Sequence, residues 1–325
     1  MNQDAIVECV PNFSEGTDAE KVREIVSAMK VDGVRLLDWS LDGAHNRSVV
    51  TIAGPPEALM EAAVRAVGKA AQLIDLTQQS GVHPRIGAAD VVPFVPVSRI
   101  SLAECAMLAR QAGLQVWRRY GVPVYFYGAA AMRPDRVELE DVRRGQFEGL
   151  REAALRDAMR RPDVGGPELH SKAGASAVGA RSFLIAYNVY IEPVGLPSTV
   201  TNGSAIALPN QPDIAAARAI ARDIRDARAS NGGLRGVKAI GVIANGRAQV
   251  SMNITDYRVT PMKQVYERVR SIAERHGVGI SEGELIGLIP EAAFEPDSDW
   301  VRQTSGFDSE QKVLERKLNQ PMVWP

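Results

Sequence analysis

Residues 236–254 read GVKAIGVIANGRAQVSMNI, two apolar runs that flank the pair Asn245-Gly246. An Asn-Gly pair between such runs is the strongest short-range signal for a β-hairpin, because both central positions of the tight turn need a positive φ. The stretch therefore predicts two antiparallel strands joined by a two-residue turn.

Going outward from this hairpin in either direction along the chain, the sequence shows a helical pattern and then a strand pattern. Apolar residues recur with helical spacing in QPDIAAARAIARDIRDA (211–227) and in TPMKQVYERVRSIAERHG (260–277). Short apolar runs follow outward in SFLIAYNVYIE (182–192) and GELIGLIP (283–290), and these read as strands. The order is β-α-β-β-α-β, which is the pattern of ferredoxin-like domains.

The first half of the chain predicts the same order without evident sequence identity to the second. Its patterns indicate strands at residues 5–9, 33–39, 47–54 and 88–97 and helices at 18–29 and 55–74. We therefore predict an α/β (α+β) fold with two ferredoxin-like subdomains, residues 1–178 and 179–325. Each mixed sheet would carry its helices outside and turn its other face toward the partner sheet, which leaves a cleft between them.

The segment between the two repeats is less regular. Residues 101–128 predict a helix and a strand, and a charged stretch near 138–160 predicts further helix. The sequence PDVGGPELHSKAG (162–174) is rich in glycine and proline, so we interpret it as a linker and a candidate binding loop. The tail from residue 304 predicts one polar helix.

Composition excludes several classes of protein. The 325 residues are 45% hydrophobic and 24% charged with a net charge of −1, which argues against a nucleic-acid-binding surface. Cys9 and Cys105 are too few for a disulfide framework and suit a reducing compartment. The N-terminus has no signal-peptide pattern, and no run is long and apolar enough for a membrane span. We therefore expect a cytoplasmic protein that binds neither nucleic acid nor membranes.

Among the four histidines, His83 is the candidate general acid/base. It lies in GVHPR (81–85), where glycine and proline stiffen a turn just before a long apolar run. An imidazole titrates near neutral pH and can both accept and return a proton. A histidine that caps a carbonyl or is solvated is the alternative. No two histidines have metal-ligand spacing, so the sequence predicts no metal site.

Charged residues near His83 are candidates for binding a carboxylate. Arg85 could grip a substrate carboxylate and Asp90 could orient a base, although either could be a sheet-edge charge. Arg47 follows His45 and Asn46 at a strand entrance, where it could clamp a carboxylate or simply end a hairpin.

Two further segments have a structural and a functional interpretation. Asn12 and Glu15 lie in a loop after the first strand, where a helix cap is the structural explanation. The small residues of KAGASAVGARSFLIAYN (172–188) permit close approach of the backbone to a ligand or a tight packing turn. P-loop, dinucleotide-binding and G-x-S-x-G motifs are absent from the sequence.

Six collinear segments resemble the formiminotransferase family, whose members are folate enzymes of histidine degradation. The resemblance covers about residues 5–290 and implies facing sheets with a folate-binding tunnel, usually in a homodimer. The segments are VECVPNFSEG (7–16), HNRSVVTIAGPPE (45–57), GVHPRIGAADVVPFVPV (81–97), VPVYFYG (122–128), VGARSFLIAYNV (178–189) and QVSMNITDY (249–257).

The resemblance implies transfer of a formimino group from N-formimino-L-glutamate to N5 of tetrahydrofolate, which serves as co-substrate. His83 matches the histidine to which the family assigns general acid/base catalysis. The folate-contacting loop corresponds to Gly165, Gly166, Pro167, Glu168, Leu169, His170, Ser171, Lys172, Ala173 and Gly174. Candidates for contact with the substrates are Asn12, Asp42, Asn46, Arg47, Arg85 and Arg181. Asp38 is an alternative to Asp42, and Lys172 is a further candidate cation.

Related activities stay open at this point. Animal members of the family continue into a cyclodeaminase domain where this sequence ends at Pro325, so a separate cyclodeaminase polypeptide is an expected partner. A formyl group carried by N-formylglutamate is an alternative to the formimino group, because the two differ by one hydrogen-bonding atom. A non-catalytic protein that binds reduced folate is the alternative from another class.

Overall fold

The computed structural model describes residues 4–79, 81, 84–193, 213–227, 233–321 and 324–325. The chain divides into two compact units, of which the second is Leu184–Lys317. The first unit runs up to Phe183 and also contains Leu318–Pro325. The division predicted at residues 178 and 179 falls within the strand Ser176–Ala180, whereas the compact units change at residues 183 and 184.

The first unit begins with the predicted order of elements and adds one short strand. The elements are β1 (Ile6–Cys9), β2 (Asn12–Phe13), α1 (Ala19–Ala28), β3 (Arg35–Asp42), β4 (Arg47–Gly54), α2 (Pro56–Leu73) and β5 (Ala89–Ser98). The strands β5, β1, β4 and β3 lie side by side in that order, and β2 pairs with β4 and β5 next to β1.

Two parallel strands extend this sheet beyond β5. The predicted helix and strand of residues 101–128 form α3 (Leu102–Tyr120) and β6 (Val124–Gly128), and β7 (Ser176–Ala180) lies between β5 and β6. A Cβ atom on Gly179 would lie 2.5 Å from the Tyr127 ring, so β7 needs small residues for close packing. The small-residue segment 172–188 therefore contains a buried strand at Ser176–Ala180, and not a tight packing turn.

Both faces of the first sheet are covered at its β5-β7-β6 side. The helices α1, α2 and α3 pack on one face around a core that includes Val22, Leu59 and Phe94. On the opposite face, Val91, Tyr125 and other apolar side chains pack with residues of α4 (Leu139–Val142) and α5 (Gln146–Arg156). The charged stretch near 138–160 thus forms a second helical layer, as its helical pattern predicted.

The second unit repeats the same strand order, which is β11 (Val278–Ile286), β8 (Ile185–Pro193), β10 (Arg247–Ile254) and β9 (Val237–Ala244). Its hairpin turns at Asn245-Gly246 with φ of 51° and 72°, which confirms the prediction. Among the described residues, the strands of this sheet pair only antiparallel, so the expectation of a mixed sheet holds for the first unit and not for the strands of the second. The elements are β8 (Ile185–Pro193), α6 (Ile214–Asp226), β9 (Val237–Ala244), β10 (Arg247–Ile254), α7 (Met262–Arg275), β11 (Val278–Ile286), α8 (Asp299–Gln303), α9 (Ser309–Lys312) and α10 (Leu314–Leu318).

The C-terminal region differs from its prediction in detail. The tail forms the short helices α9 and α10 instead of one continuous polar helix. Among the described residues, none of the helices is both long and apolar enough to cross a membrane.

Candidate functional site

Three connections of the first unit meet at the side chains of Asn46 and Gln79. The Asn46 amide nitrogen donates to Gln79 Oε1, and its oxygen accepts from the Gly16 backbone N–H at 3.0 Å. Gln79 Nε2 donates in turn to Glu15 Oε2 at 3.0 Å. Asn46 has a φ of 49°, a left-handed conformation that asparagine tolerates better than most residues. Asn46 therefore ties together the connection after β2, the β3-β4 turn and the segment that leads to His83.

The carboxylate of Glu15 holds the start of the first of these connections. It is buried and accepts hydrogen bonds from the Thr17 and Asp18 backbone N–H groups, each at 3.0 Å. Burial acts to raise the pKa of Glu15, but these hydrogen bonds, a third from the Thr17 hydroxyl and the Lys21 cation together lower that pKa below its ordinary value. Glu15 thus stabilises the loop before α1, which agrees with the structural interpretation of this residue.

His83 lies outside the described residues, as does Val82. On one side of them, Gly81 packs so closely that an added Cβ would lie 2.7 Å from the carbonyl oxygen of His45. On the other side, Arg85 donates to the carbonyl oxygens of Gln79 at 2.7 Å and Leu76 at 3.2 Å. The ends of the segment are therefore fixed against each other and against the β3-β4 turn.

The predicted clamp Arg85 is engaged by protein groups in this structure. Besides the two carbonyl oxygens, its guanidinium forms an ion pair with Glu148 at 3.1 Å. The Glu148 side chain is mostly exposed, so this pair contributes little to stability. A substrate carboxylate could replace Glu148 without disturbing the bonds to the carbonyl oxygens, and the binding role of Arg85 stays a prediction.

Asp90 occupies a β-bulge where β5 passes β2. Asn12 pairs with Val91 and Phe13 pairs with Ala89, which leaves Asp90 as the extra residue between them. Bulges re-aim side chains, and here the bulge brings the Asp90 carboxylate to Arg47. Asp90 is fully buried; its Oδ1 accepts from the Ile86 backbone N–H at 2.8 Å and its Oδ2 accepts from Arg47 at 2.9 Å.

A second arginine, Arg143, also donates to Asp90 Oδ2. Arg143 directly follows α4, while Arg47 begins β4 and also donates from Nε to Asn12 Oδ1 at 2.8 Å. Burial lowers the pKa of Arg47 to about 10; the Arg143 cation adds to this effect and Asp90 opposes it. Two mostly buried guanidinium groups therefore share one carboxylate.

The acidic residues of β3 lie beside this cluster. Asp42 is opposite Arg47 in the β3-β4 pairing, whereas Asp38 is opposite Thr51, further along the hairpin. Asp42 accepts from the His45 backbone N–H at 2.9 Å and contacts its Nδ1 at 2.6 Å. Burial acts to raise the pKa of Asp42, but the hydrogen bonds to His45 lower it overall. The position opposite Arg47 favours Asp42 over Asp38 as the acid near a substrate.

The end of the predicted folate loop docks on both flanks of the His83 segment. The Lys172 carbonyl accepts from Leu76 N and the Ala173 carbonyl accepts from Ala88 N, both at 2.9 Å. Within the loop, His170 Nδ1 accepts from the Ala173 backbone N–H at 2.9 Å and so caps the turn. Residues 170–174 therefore lie next to the residues that enter and leave the His83 segment.

Arg181 directly follows β7, and its backbone N–H donates to the Phe94 carbonyl at 3.1 Å. Burial raises the pKa of Tyr127 and of Cys9, and the Arg181 guanidinium acts to lower both. Arg143, which donates to Asp90, also acts to lower the pKa of Tyr127, so Arg181 and Arg143 act on the same tyrosine. The binding role of Arg181 stays a prediction, like that of the other candidate residues.

Comparison with known proteins decides the family. Residues 6–181 match the model of the formiminotransferase domain, N-terminal subdomain, and residues 207–318 match the model of the formiminotransferase domain. The chain belongs to the formiminotransferase family. The prediction of a transferase of this family with two α/β subdomains is thereby confirmed.

Similar proteins in the formiminotransferase family include two of nearly equal length. Glutamate formimidoyltransferase of Thermoplasma acidophilum is 41% identical over 319 residues, 97% of this chain and 97% of that protein. Glutamate formimidoyltransferase of Streptococcus pyogenes serotype M1 is 39% identical, with 96% and 98% covered. Formimidoyltransferase-cyclodeaminase of Rattus norvegicus is 38% identical over 88% of this chain and 50% of that protein.

Sequence reasoning missed Arg143 in this formiminotransferase domain. The stretch EDVRRGQ (140–146) reads as a solvated charged helix, and nothing in its spacing separates Arg143 from Arg144. Only the contact with Asp90 distinguishes them. In the described part of the chain, no group of three or more His, Cys, Asp or Glu side chains is placed to hold a metal ion.

We expect Gly174→Ala to destabilise the first unit by more than about 2 kcal/mol, because the position combines a φ of 68° with close packing. A Cβ there would overlap the Ile86 carbonyl oxygen. Gly121→Ala is the matched control: φ is 64°, but nothing lies within 4 Å of the added Cβ, so about 1 kcal/mol is expected. Urea unfolding measures both, and equal losses would contradict the proposed docking of the loop.

Proposed function

We propose that this chain transfers the formimino group of N-formimino-L-glutamate to N5 of tetrahydrofolate, giving 5-formiminotetrahydrofolate and L-glutamate. Such a reaction belongs to histidine degradation and supplies one-carbon metabolism. The observation that carries the proposal is similarity over nearly the full length of two proteins named glutamate formimidoyltransferase. The grouping of cationic and amide side chains near the His83 segment supports it, because both substrates carry carboxylates.

His83 would act as general base and then as general acid. N5 of tetrahydrofolate is a secondary amine that attacks the formimino carbon and must lose its proton as the tetrahedral intermediate forms. The amine of glutamate then leaves, and it needs a proton to do so as a neutral group. One imidazole can accept the first proton and deliver it to the second nitrogen, since its two forms are both populated near neutral pH.

The surroundings of the His83 segment suit this role. The hydrogen bonds of Arg85 to Leu76 and Gln79, and the packing of Gly81 on His45, fix the backbone on both sides. A fixed backbone holds a catalytic side chain in one geometry, which lowers the entropic cost of reaching the transition state. The loop Gly165–Gly174, docked beside this segment, is the proposed contact for the folate.

Several other assignments belong to the same proposal. The substrate contacts would come from Asn12, Asp42, Asn46, Arg47, Arg85 and Arg181. The catalytic subdomain would be residues 1–178 and the second subdomain residues 179–325. We further propose a cytoplasmic homodimer that works with a separate cyclodeaminase polypeptide.

Parallel assays with two donors test the proposal. We expect the purified protein with tetrahydrofolate to release glutamate from N-formimino-L-glutamate, with kcat/KM at least about tenfold above that for N-formyl-L-glutamate. The imino nitrogen and the formyl oxygen differ in hydrogen bonding, and one mismatched charged hydrogen bond has about that effect. Mass spectrometry identifies 5-formiminotetrahydrofolate, and L-glutamate without a one-carbon group is the blank.

Two results would favour other functions. A preference for the formyl donor would identify a glutamate formyltransferase with the same pocket. Tight binding of tetrahydrofolate without transfer from either donor would identify a non-catalytic reduced-folate-binding protein.

A further inference from the structure

Arg143 has an unusual environment for a residue in a charged surface helix segment. Its side chain is only 13% exposed, while the adjacent Arg144 is 75% exposed and pairs with Asp141 on the same helical turn. Arg143 reaches inward to Asp90, which also accepts hydrogen bonds from Arg47 and from the backbone of Ile86. Burying a cation is costly, so this position requires a reason beyond packing.

The donors of Arg143 are not all used by the protein. Its NH2 group donates to Asp90, whereas its Nε has no hydrogen-bond partner in the described part of the chain. The Nε atom is also buried from solvent. A guanidinium presents its N–H groups in a planar fork that matches the two oxygens of a carboxylate. Arg143 thus offers unsatisfied donors at fixed positions beside a second cation, Arg47.

The size of the two substrates decides which carboxylate fits. The Asp90 carboxylate that holds Arg143 also holds Ile86, so the cation lies close to the entry of β5 where the candidate residues gather. In an N-substituted glutamate, both carboxylates are within a few bonds of the nitrogen that carries the transferred group. In a folate, the p-aminobenzoyl group separates N5 from the glutamate carboxylates. Under the proposed function, in which transfer takes place at this group of side chains, Arg143 therefore faces the amino-acid donor.

We infer that Arg143, held on Asp90 beside Arg47, binds a carboxylate of the one-carbon donor, an N-substituted dicarboxylic amino acid. This inference rests on the proposed function and adds a residue to it. Asp90 acts here as a positioning residue, since it orients both guanidinium groups without contact with the donor.

The test compares Arg143→Gln and Arg143→Lys with Arg144→Gln as the matched control. We expect Arg143→Gln to raise KM for the donor by about tenfold or more, as loss of a charged hydrogen bond does, with KM for tetrahydrofolate unchanged. Arg143→Lys keeps the charge but loses the planar fork, so an intermediate increase is expected. Arg144→Gln should leave both KM values at wild-type levels because its side chain is exposed.

Donor analogues separate recognition from a structural effect. The wild type should discriminate against analogues in which one carboxylate is replaced by a carboxamide, and Arg143→Gln should lose this discrimination for one of the two. A change confined to folding would lower activity equally with all donors. If Arg143→Gln does not fold, Arg143→Lys is compared with the wild type on the same carboxamide analogues.

Calorimetric titration with L-glutamate, the expected product, tests the inference independently of turnover. Wild-type binding that weakens at least about tenfold in Arg143→Gln supports the assignment even where no transfer occurs, in which case the proposed function alone fails. Unchanged donor KM and unchanged glutamate affinity in a folded Arg143→Gln would overturn it. Equal increases in KM for both substrates would overturn it as well, as would the absence of glutamate binding to the wild type.

Discussion

His83→Ala should lower kcat for formimino transfer by at least about tenfold, and by about 100- to 10,000-fold where the imidazole serves both half-reactions. Two proton transfers depend on this one side chain in the proposed mechanism, and alanine can perform neither. The affinity for tetrahydrofolate should stay near that of the wild type, because folate binding is assigned to the Gly165–Gly174 loop. Steady-state kinetics and equilibrium binding measure the two effects separately.

A second histidine provides the control for this experiment. His276 lies at the end of α7, where its Nε2 is 3.0 Å from Asp223, and His276→Ala should leave kcat unchanged. Added imidazole should restore part of the activity of His83→Ala, since a free base can enter the vacated space. Wild-type turnover in His83→Ala would remove this residue from the mechanism.

Local patterns predicted most of the fold because they depend on neighbouring residues along the chain. The spacing of Val22, Ile25 and Val26 places them all on the buried face of α1. The turn at Asn245-Gly246 depends only on the φ angles that those two residues tolerate. These features are encoded within a few residues, and the structure reproduces them within a few positions.

Local sequence patterns do not predict the strand β7. Its sequence, SAVGA, has neither alternation nor length, and its pairing partners β5 and β6 come about 50 to 85 residues earlier in the chain. The strand forms because both edges find parallel partners and because its small residues fit beneath Tyr127. Long-range pairing of this kind has no local signal.

The candidate site shows the same division between local and long-range information. Arg47 and Asp90 could be singled out from the sequence, because a charge at a strand entrance or within an apolar run is unusual. Arg143 could not, since its segment has many charges and only the tertiary contact with Asp90 selects one of them. Arg181 could be chosen by residue type alone, and its relation to Arg143 through Tyr127 likewise depends on long-range contacts.

The second large effect is expected for Asp90→Asn, which removes the shared carboxylate from two buried guanidinium groups. Breaking one partner of a buried ion pair costs about 3–5 kcal/mol of stability, because the remaining charge is left uncompensated. For a unit of this size, such a loss lowers Tm by roughly 6–20 °C. The amide also presents a donor toward groups that are themselves donors, so asparagine cannot reproduce the hydrogen bonds to both Arg47 and Arg143.

A more exposed carboxylate, in α4, calibrates the measurement. Asp141→Asn breaks the exposed pair with Arg144 and should change stability by less than about 1 kcal/mol. If charge compensation is the cause, then Asp90→Asn combined with Arg143→Gln should be less destabilised than the sum of the single variants, since one orphaned cation is gone. Additive losses, or a loss below about 1 kcal/mol in Asp90→Asn, would show instead that solvent or other groups compensate these arginines. The buried carboxylate would then not be the element that fixes Arg47 and Arg143 for a ligand.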